Sequence, residues 1–104
     1  MARFRLRKVA REDLLEIGDY TSDRWSVAQS QRYLRKIYSC FQRLADNRML
    51  GRACPGLPGY RRFEEGRHVV FFRRPTSGEV IIVRVLHQRM LPEWHLATEE
   101  DEDE

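Results

Sequence analysis

The periodicity of the apolar residues changes twice along this 104-residue chain, which limits the folds that it can adopt. Residues 3–8 alternate, with Phe4 and Leu6 on one side and arginines on the other, as in a half-buried strand. Residues 10–46 then follow a helical period, and residues 60–87 return to strand-like runs. This order of elements predicts an α+β domain in which helices cover a sheet.

The helical segment divides into two helices. The first is predicted over residues 10–23, with an apolar stripe of Leu14, Ile17 and Thr21 that Leu15 and Tyr20 widen. The second begins at Ser26, because a serine cap with Gln29 three residues later satisfies two backbone N–H groups reciprocally. It runs to about Asp46, and its stripe consists of Val27, Leu34, Ile37, Phe41 and Leu44, with Tyr33, Tyr38 and Ala45 beside it. The short link at Trp25 predicts an antiparallel hairpin.

The second half of the chain predicts a loop and three strands. Residues 47–59 contain two prolines and three glycines, which indicates a loop. Strands are predicted at residues 60–65, 67–74 and 79–87, with tight turns at Gly66 and at residues 75–78. The expected architecture is an N-terminal strand, an antiparallel two-helix hairpin and an antiparallel three-strand meander, in the order β-α-α-β-β-β.

The charge of the chain is divided between a basic body and an acidic end. One domain is expected over residues 1–96, followed by a disordered acidic tail at 97–104. Residues 99–104 hold six of the sixteen acids, so that ten acids face nineteen bases in the rest of the chain. That balance favours an anionic partner. Arginine makes up seventeen of the bases and suits bidentate contacts with phosphate or carboxylate, although a GC-rich genome would also enrich it.

Several classes of protein are disfavoured. No apolar run approaches the roughly 20 residues of a membrane helix, and the N-terminus lacks the apolar centre of a signal peptide, so a cytoplasmic protein without a membrane partner is expected. Cys40 and Cys54 are expected to be reduced thiols, since one falls on a predicted helix and the other in a loop. No spacing of cysteine and histidine suggests a zinc site, and no cofactor is expected.

A series of landmark residues stands in a distinctive order along the chain. They are Asp13, Leu14, Ile17, Tyr20 and Trp25; Gln29, Tyr33, Ile37, Phe41, Leu44 and Ala45; Gly51 and Arg52; residues 59–61, 70–73 and 82–87; and Met90, His95 and Leu96. The most specific element is the Val-Arg-Val-Leu-His segment at 83–87 with Met90 three residues later. In this order the landmark residues resemble the ParE branch of the RelE/ParE toxins. Two features depart from the family pattern: Leu91 stands where an acidic residue is usual, and the six terminal acids are additional.

The resemblance implies a toxin of a type II toxin–antitoxin system that inhibits DNA gyrase and is neutralised by a ParD-like antitoxin. A ribosome-dependent mRNA endonuclease of RelE type and a non-toxic, degenerate binding module are the alternatives. Direct nucleic-acid binding would be unspecific, because the aromatic residues belong to the predicted core. The acidic tail is expected to be solvated, and the alternatives are that it screens the basic body, mimics DNA or competes with the antitoxin.

An RNase that uses no metal needs an acid, a base and cations near the phosphate. The residues available for these roles are His87, Arg61, Arg84 and Glu64. Counting by twos along the last strand places Arg84 and His87 on opposite faces, unless the strand ends or bulges between them. The favoured alternative for His87 is a strand-end histidine that hydrogen-bonds to the backbone, and the alternative for Glu64 is a solvated turn position beside Gly66. A protein without catalytic residues is therefore favoured.

Partner contacts are expected at three groups of residues. Arg3, Arg5 and Arg7 recur at about 6.6 Å along the first strand and could clamp acidic side chains or phosphates; the alternative is a solvated edge strand. Further cationic candidates are Arg61, Arg67 and Arg84. Met90 and Trp94 are expected to be exposed apolar contacts, unless they fold back and cap the core.

Overall fold

The computed structural model describes residues 3–90 and residue 96. Its elements are β1 (Phe4–Leu6), α1 (Lys8–Arg24), α2 (Val27–Asp46), β2 (Arg52–Ala53), β3 (Arg61–Glu65), β4 (His68–Arg73) and β5 (Val80–His87). The expected order of a strand, two helices and a three-strand meander is confirmed. The short strand β2 is an addition that lies within the predicted loop. Trp94 and the acidic tail lie outside the described residues.

The strands form one mixed sheet in the order β1-β5-β4-β3-β2. β2 to β5 pair antiparallel, whereas β1 pairs parallel to β5, with Phe4 opposite Val80 and Leu6 opposite Ile82. A parallel pair needs a long crossover, and the helical hairpin provides part of it. The sequence predicted a first strand with one buried side, but the tertiary structure placed that strand beside the last one.

The helical hairpin is held by a capped turn and by polar contacts between the helices. The Ser26 hydroxyl accepts a hydrogen bond from the Gln29 N–H at 3.1 Å, which is the serine half of the predicted capping box. The hydroxyls of Thr21 and Ser30 are buried and lie 2.7 Å apart, joining α1 to α2. At the other end of α2, Arg74 donates hydrogen bonds to three carbonyl oxygens at and just beyond the helix end, which satisfies groups that a helix leaves unpaired.

Four residues assigned to the apolar stripes are instead exposed. Leu15 and Val27 are 70% and 63% exposed, while Tyr20 and Tyr38 are 58% and 47% exposed. The helical period assigned Leu15, Tyr20 and Tyr38 to the edges of the stripes, and Val27 to the stripe of α2, of which it is the first residue. The sheet covers the centre of each stripe and leaves its edges, and the first residue of α2, in solvent.

Two separate cores cover the two faces of the sheet. The helix-side core includes Leu14, Ile17, Ile37, Phe41, Leu44, Val70, Phe72, Val80, Ile82 and Val85. The core on the opposite face consists of Cys54, Val69, Phe71, Val83, Leu86 and Leu96. Both cysteines are buried and unpaired, as expected, and burial raises the pKa of Cys40 to about 12. In the part of the chain that the structure describes, no helix is long and apolar enough to cross a bilayer.

Candidate protein-binding cleft

A cleft lies where the second half of α1 faces the start of β4 and the end of β5. It comprises two adjoining cavities of about 410 and 360 Å³, which share Tyr20, His68 and His87 as lining residues. Asp13 and Arg84 line the larger cavity, together with side chains of α1 and β5. The cleft therefore joins titratable groups from the helical hairpin and from two strands.

The ion pair between Asp13 and Arg84 forms one wall of the cleft. Arg84 donates two hydrogen bonds to the Asp13 carboxylate, at 2.9 and 2.8 Å, and the Val85 N–H donates a third at 2.9 Å. Strand β1 pairs with β5 only as far as Ile82. Beyond Ile82 this edge of β5 is open, and the Asp13 carboxylate accepts the hydrogen bond of the Val85 N–H, which β1 does not reach. Asp13 is only 7% exposed, and this bidentate geometry makes the pair a structural element.

A bulge in β5 brings Val85 and His87 to the helix side of the sheet. The pairing of β4 with β5 passes over Val83, which is one extra residue in β5. Beyond the bulge, Val85 joins the helix-side core with Ile82, whereas Val83 belongs to the opposite core. Arg84 and His87 follow the bulge and pair in unbroken register with Phe71 and His68, so the predicted alternation between the two residues holds, although both side chains line the larger cavity.

Two histidines and a tyrosine form the floor of the cleft. The Tyr33 hydroxyl lies 2.6 Å from His68 Nδ1 and accepts a hydrogen bond from the Arg67 N–H at 3.2 Å. It also lies 3.3 Å from the Glu65 carbonyl oxygen, so the shorter contact with His68 is its main hydrogen bond. The rings of His68 and His87 meet edge to face, with centroids 5.5 Å apart. The cluster closes the gap between α2 and the strand ends.

The protonation states of this cluster follow from burial. Burial, with a smaller contribution from His87, lowers the pKa of His68 to about 4, while Asp13 acts in the opposite direction. Burial also raises the pKa of Tyr33. At neutral pH the phenol is therefore protonated and donates to a neutral imidazole. A histidine with so low a pKa is poorly matched to general-acid work near neutrality.

Gly66 allows the turn between β3 and β4 to approach Tyr33. Its φ is +59°, a conformation that side chains with a Cβ rarely adopt. A Cβ at this position would lie 2.8 Å from the ring of Tyr33 and from its hydroxyl. The predicted tight turn at Gly66 is confirmed, and the close approach explains why a glycine stands there.

The four RNase candidates do not converge. Glu64 lies on the face of the sheet opposite the helices, where it pairs with Arg52 at 3.1 Å. Arg61 stands at the other end of β3, about 13 Å along the strand from the β3–β4 turn. Arg84 and His87 share the cleft, but Arg84 is paired with Asp13. Among the described residues, no group of three or more His, Cys, Asp or Glu could hold a metal ion.

The rim of the cleft exposes apolar side chains beside cations. Tyr20, Trp25 and Met90 are 58%, 53% and 46% exposed. The Arg24 guanidinium lies 4.8 Å from the centroid of the Tyr20 ring, and Arg67 lines the smaller cavity. Met90 is thus an exposed apolar residue, as expected, and Arg67 lies at the same site.

The remaining arginines expected to contact a partner lie elsewhere. Arg3, Arg5 and Arg7 point away from the helices, because the intervening Phe4 and Leu6 pack on the helix-side core. By register and ring contacts, the same side of the sheet carries arginines of β2, β3 and β4. We call this surface the arginine face; its members are Arg3, Arg5, Arg7, Arg52, Arg62 and Arg73.

Asp13 and His68 are site residues that the sequence analysis did not assign. Asp13 was one of the landmarks of the resemblance, and it falls within the buried stripe of α1, between Ala10 and Ile17. An acid at a buried helical position signals a partner, but not which one. His68 stands at the start of a strand without a local pattern to mark it. Its pairing with His87 depends on the register of β4 and β5.

Chains of known structure share this fold. A chain of the chromosomal ParDE toxin–antitoxin system from P. aeruginosa is 22% identical, with a TM-score of 0.72, over 84% of this chain and 96% of that chain. A chain of the toxin–antitoxin complex RelBE2 from Mycobacterium tuberculosis is 20% identical, with a TM-score of 0.53, over 83% of this chain and 96% of that one. These likenesses establish the class of fold.

Sequence comparison gives the family. A family model described as the ParE toxin of the type II toxin-antitoxin system, parDE, matches residues 4–92. Toxin ParE1 of Mycobacterium tuberculosis is 44% identical over 90 residues, which are 86% of this chain and 92% of that protein. Toxin ParE1 of Caulobacter vibrioides is 38% identical over 97 residues, 92% of this chain and 99% of that protein. The chain therefore belongs to the ParE toxin family of type II toxin–antitoxin systems.

Proposed function

We propose that this protein inhibits DNA gyrase in the cytoplasm and is neutralised by a ParD-like antitoxin. The observation that carries the proposal is the match of the ParE family model to residues 4–92. The separation of the four RNase candidates supports it, because Glu64 and Arg61 lie away from the cleft that holds Arg84 and His87. The function proposed is inhibition by binding, with residues 1–96 acting as a single domain.

A supercoiling assay tests the target. Purified gyrase is given relaxed plasmid and ATP with increasing amounts of this protein, and we expect supercoiling to be lost at excess toxin. Addition of the antitoxin encoded by the neighbouring gene should restore it, which shows that the loss comes from the native toxin. Normal supercoiling at excess toxin would contradict the proposal. Cleavage of messenger RNA in a translating extract would instead favour the RelE-type activity.

The antitoxin is proposed to dock on the rim of the cleft. The exposed Tyr20, Trp25 and Met90 offer apolar contact area on one side of the molecule, and Arg24 and Arg67 stand beside them. A partner segment that presents apolar side chains together with carboxylates matches this combination. Large side chains in such a position usually supply much of the binding free energy of an interface.

Two methionines provide a matched test of this docking site. Met90→Ala removes an apolar group at the cleft, and we expect the affinity for the antitoxin to fall about tenfold, which is about 1.4 kcal/mol. Met49→Ala makes the same change at a residue that is 85% exposed and does not line the cleft. It should leave the affinity within about twofold. Equal effects of the two substitutions, measured by calorimetry, would place the antitoxin elsewhere.

A further inference from the structure

The side of α2 that faces away from the sheet carries three cations. Arg32, Arg35 and Lys36 are exposed, whereas Ile37 and Cys40 of the same helix are buried in the helix-side core. Arg32 and Lys36 stand about one helical turn apart, about 6 Å along the axis, and Arg35 lies at a height between them. We call these three residues the α2 strip.

The cations of the α2 strip are not neutralised by the part of the protein that the structure describes. Among residues 3–90 and 96, none of the three forms an ion pair, whereas Arg43 on the next turns of the helix lies 3.9 Å from Glu65. Asp46 is the one acid in the sequence of α2, and it stands about 15 Å along the axis beyond Lys36. The strip therefore presents uncompensated positive charge to the solvent.

Two open grooves meet at the α2 strip. One has a volume of about 750 Å³ and includes Ser39, and the other has a volume of about 420 Å³ and includes Gln29. Arg32 and Lys36 line both grooves. Arginine and lysine accompanied by hydroxyl and amide side chains are the groups that contact phosphate oxygens in complexes with DNA.

The neighbouring helix carries charge of the opposite sign. α1 exposes Glu12, Glu16, Asp19 and Asp23, which recur every three or four residues and so lie on one side of the helix. A polyanion is attracted to the α2 side of the hairpin and repelled from the α1 side. The distribution of charge thus fixes the side from which such a ligand approaches.

We propose that the α2 strip binds the phosphodiester backbone of duplex DNA. The centre of a protein–protein interface is depleted in lysine and built on apolar anchors, whereas the centre of this surface consists of cations. Trp25 and Tyr38 are exposed at its margins and not between the cations, which disfavours a single strand held by stacked bases. A contact with the backbone alone reads no bases, so the binding is independent of DNA sequence.

Fluorescence anisotropy with the full chain and a short labelled duplex tests the proposal. Three cations that contact phosphates release about three counterions, so the logarithm of the binding constant should fall with the logarithm of the salt concentration with a slope of about −2.7. This slope corresponds to a loss of about 40-fold in affinity between about 50 and 200 mM salt. Duplexes of different sequence should bind equally.

Two pairs of substitutions locate the contact. Arg32→Gln with Lys36→Gln should reduce the salt slope by about 2 and weaken binding at about 50 mM salt by more than about tenfold. Glutamine keeps a high helix propensity, so the circular dichroism of the variant should be unchanged. Arg52→Gln with Arg62→Gln removes the same charge from the arginine face, where Glu64 lies 3.1 and 3.5 Å from the two guanidinium groups. This control pair should leave the affinity within about twofold.

Three outcomes would overturn the proposal. They are the absence of binding at low salt, equal effects of the two pairs of substitutions, and tighter binding of poly-L-glutamate than of the duplex at the same salt concentration. The last result would assign the α2 strip to an acidic protein segment. None of these measurements involves gyrase or an antitoxin, so the result is independent of the function proposed above.

Discussion

The two faces of the sheet use arginine in opposite ways. On the helix side, Arg84 and Asp13 form a bidentate pair with side chains that are 15% and 9% exposed. On the arginine face, Arg52 and Glu64 meet at 3.1 Å with side chains that are 69% and 59% exposed. A buried pair leaves an uncompensated charge when one partner is lost, whereas an exposed pair is replaced by water. Burial, and not the presence of an ion pair, decides which arginines are structural.

The largest effect on the free energy of unfolding is expected for Asp13→Ala. The change leaves Arg84 without its carboxylate and the Val85 N–H without an acceptor, so we expect a loss of about 3–5 kcal/mol in the free energy of unfolding. Glu12→Ala removes an exposed carboxylate from the neighbouring position and should cost less than about 0.5 kcal/mol. Urea denaturation measures both. Similar losses for the two variants would remove the distinction between buried and exposed pairs on which the comparison rests.

A smaller loss in the free energy of unfolding is expected when a side chain obstructs the close approach of the β3–β4 turn to Tyr33. Gly66→Ala forces a Cβ to within 2.8 Å of the Tyr33 ring and adds strain at a φ of +59°. We expect it to cost about 2–3 kcal/mol. At Gly56, φ is +79° and a Cβ would meet nothing within 4 Å, so Gly56→Ala tests backbone strain alone. If Gly56→Ala costs as much as Gly66→Ala in thermal denaturation, contact with Tyr33 is not the cause.

The helix side of the sheet should lose stability in acid because of His68. Its pKa is lowered from 6.5 to about 4 in the folded protein, so the unfolded chain binds more protons between these values. The contribution of neutral His68 to the free energy of unfolding is therefore fully present above pH 6.5. As the pH falls towards 4, this contribution is lost, and we expect the free energy of unfolding to fall by about 2 kcal/mol.

The variant His68→Gln isolates this contribution. The free energy of unfolding of both proteins is measured between pH 7.5 and 4.5, and the carboxylates contribute equally to both curves. We expect the variant to lose less stability than the natural protein over this range. Parallel curves would mean that His68 does not titrate as its burial requires.

The smallest effect on the free energy of unfolding is expected for a substitution on the arginine face. Arg52→Ala breaks an ion pair that solvent screens on both sides, and we expect the free energy of unfolding to change by less than about 0.5 kcal/mol. The same denaturation experiment as for Asp13→Ala makes the comparison direct. A loss above about 1 kcal/mol would show that this face is also structural.

The parts of the fold that follow from local patterns were predicted closely. The alternation of Phe4 and Leu6 gave β1, the serine cap placed the start of α2, and Gly66 marked the turn between β3 and β4. Each depends on residues that are neighbours in sequence, so the chain itself carries the information. The order of elements and the landmark residues together were sufficient to suggest the ParE family.

The candidate cleft was predicted in part. Met90, Arg67, Arg84 and His87 were named from the sequence, but they were not expected to share a site. Period-two counting failed at β5 because one inserted residue reverses the alternation, and nothing in the segment signals a bulge. The exposure of Leu15 and Val27 was missed for a related reason, since a helical period shows a face but not how wide a sheet covers it.

The sequence by itself determined the two helices and the four longer strands, the charge division between body and tail, and the resemblance to the ParE family. The tertiary structure alone decided that β1 lies beside β5, that Asp13 meets Arg84, and that His68 lies against His87 and Tyr33. The physical reason is that local spacing specifies which side of an element is apolar. Which side chains then meet depends on the register of strands and on packing between residues that are distant in the chain.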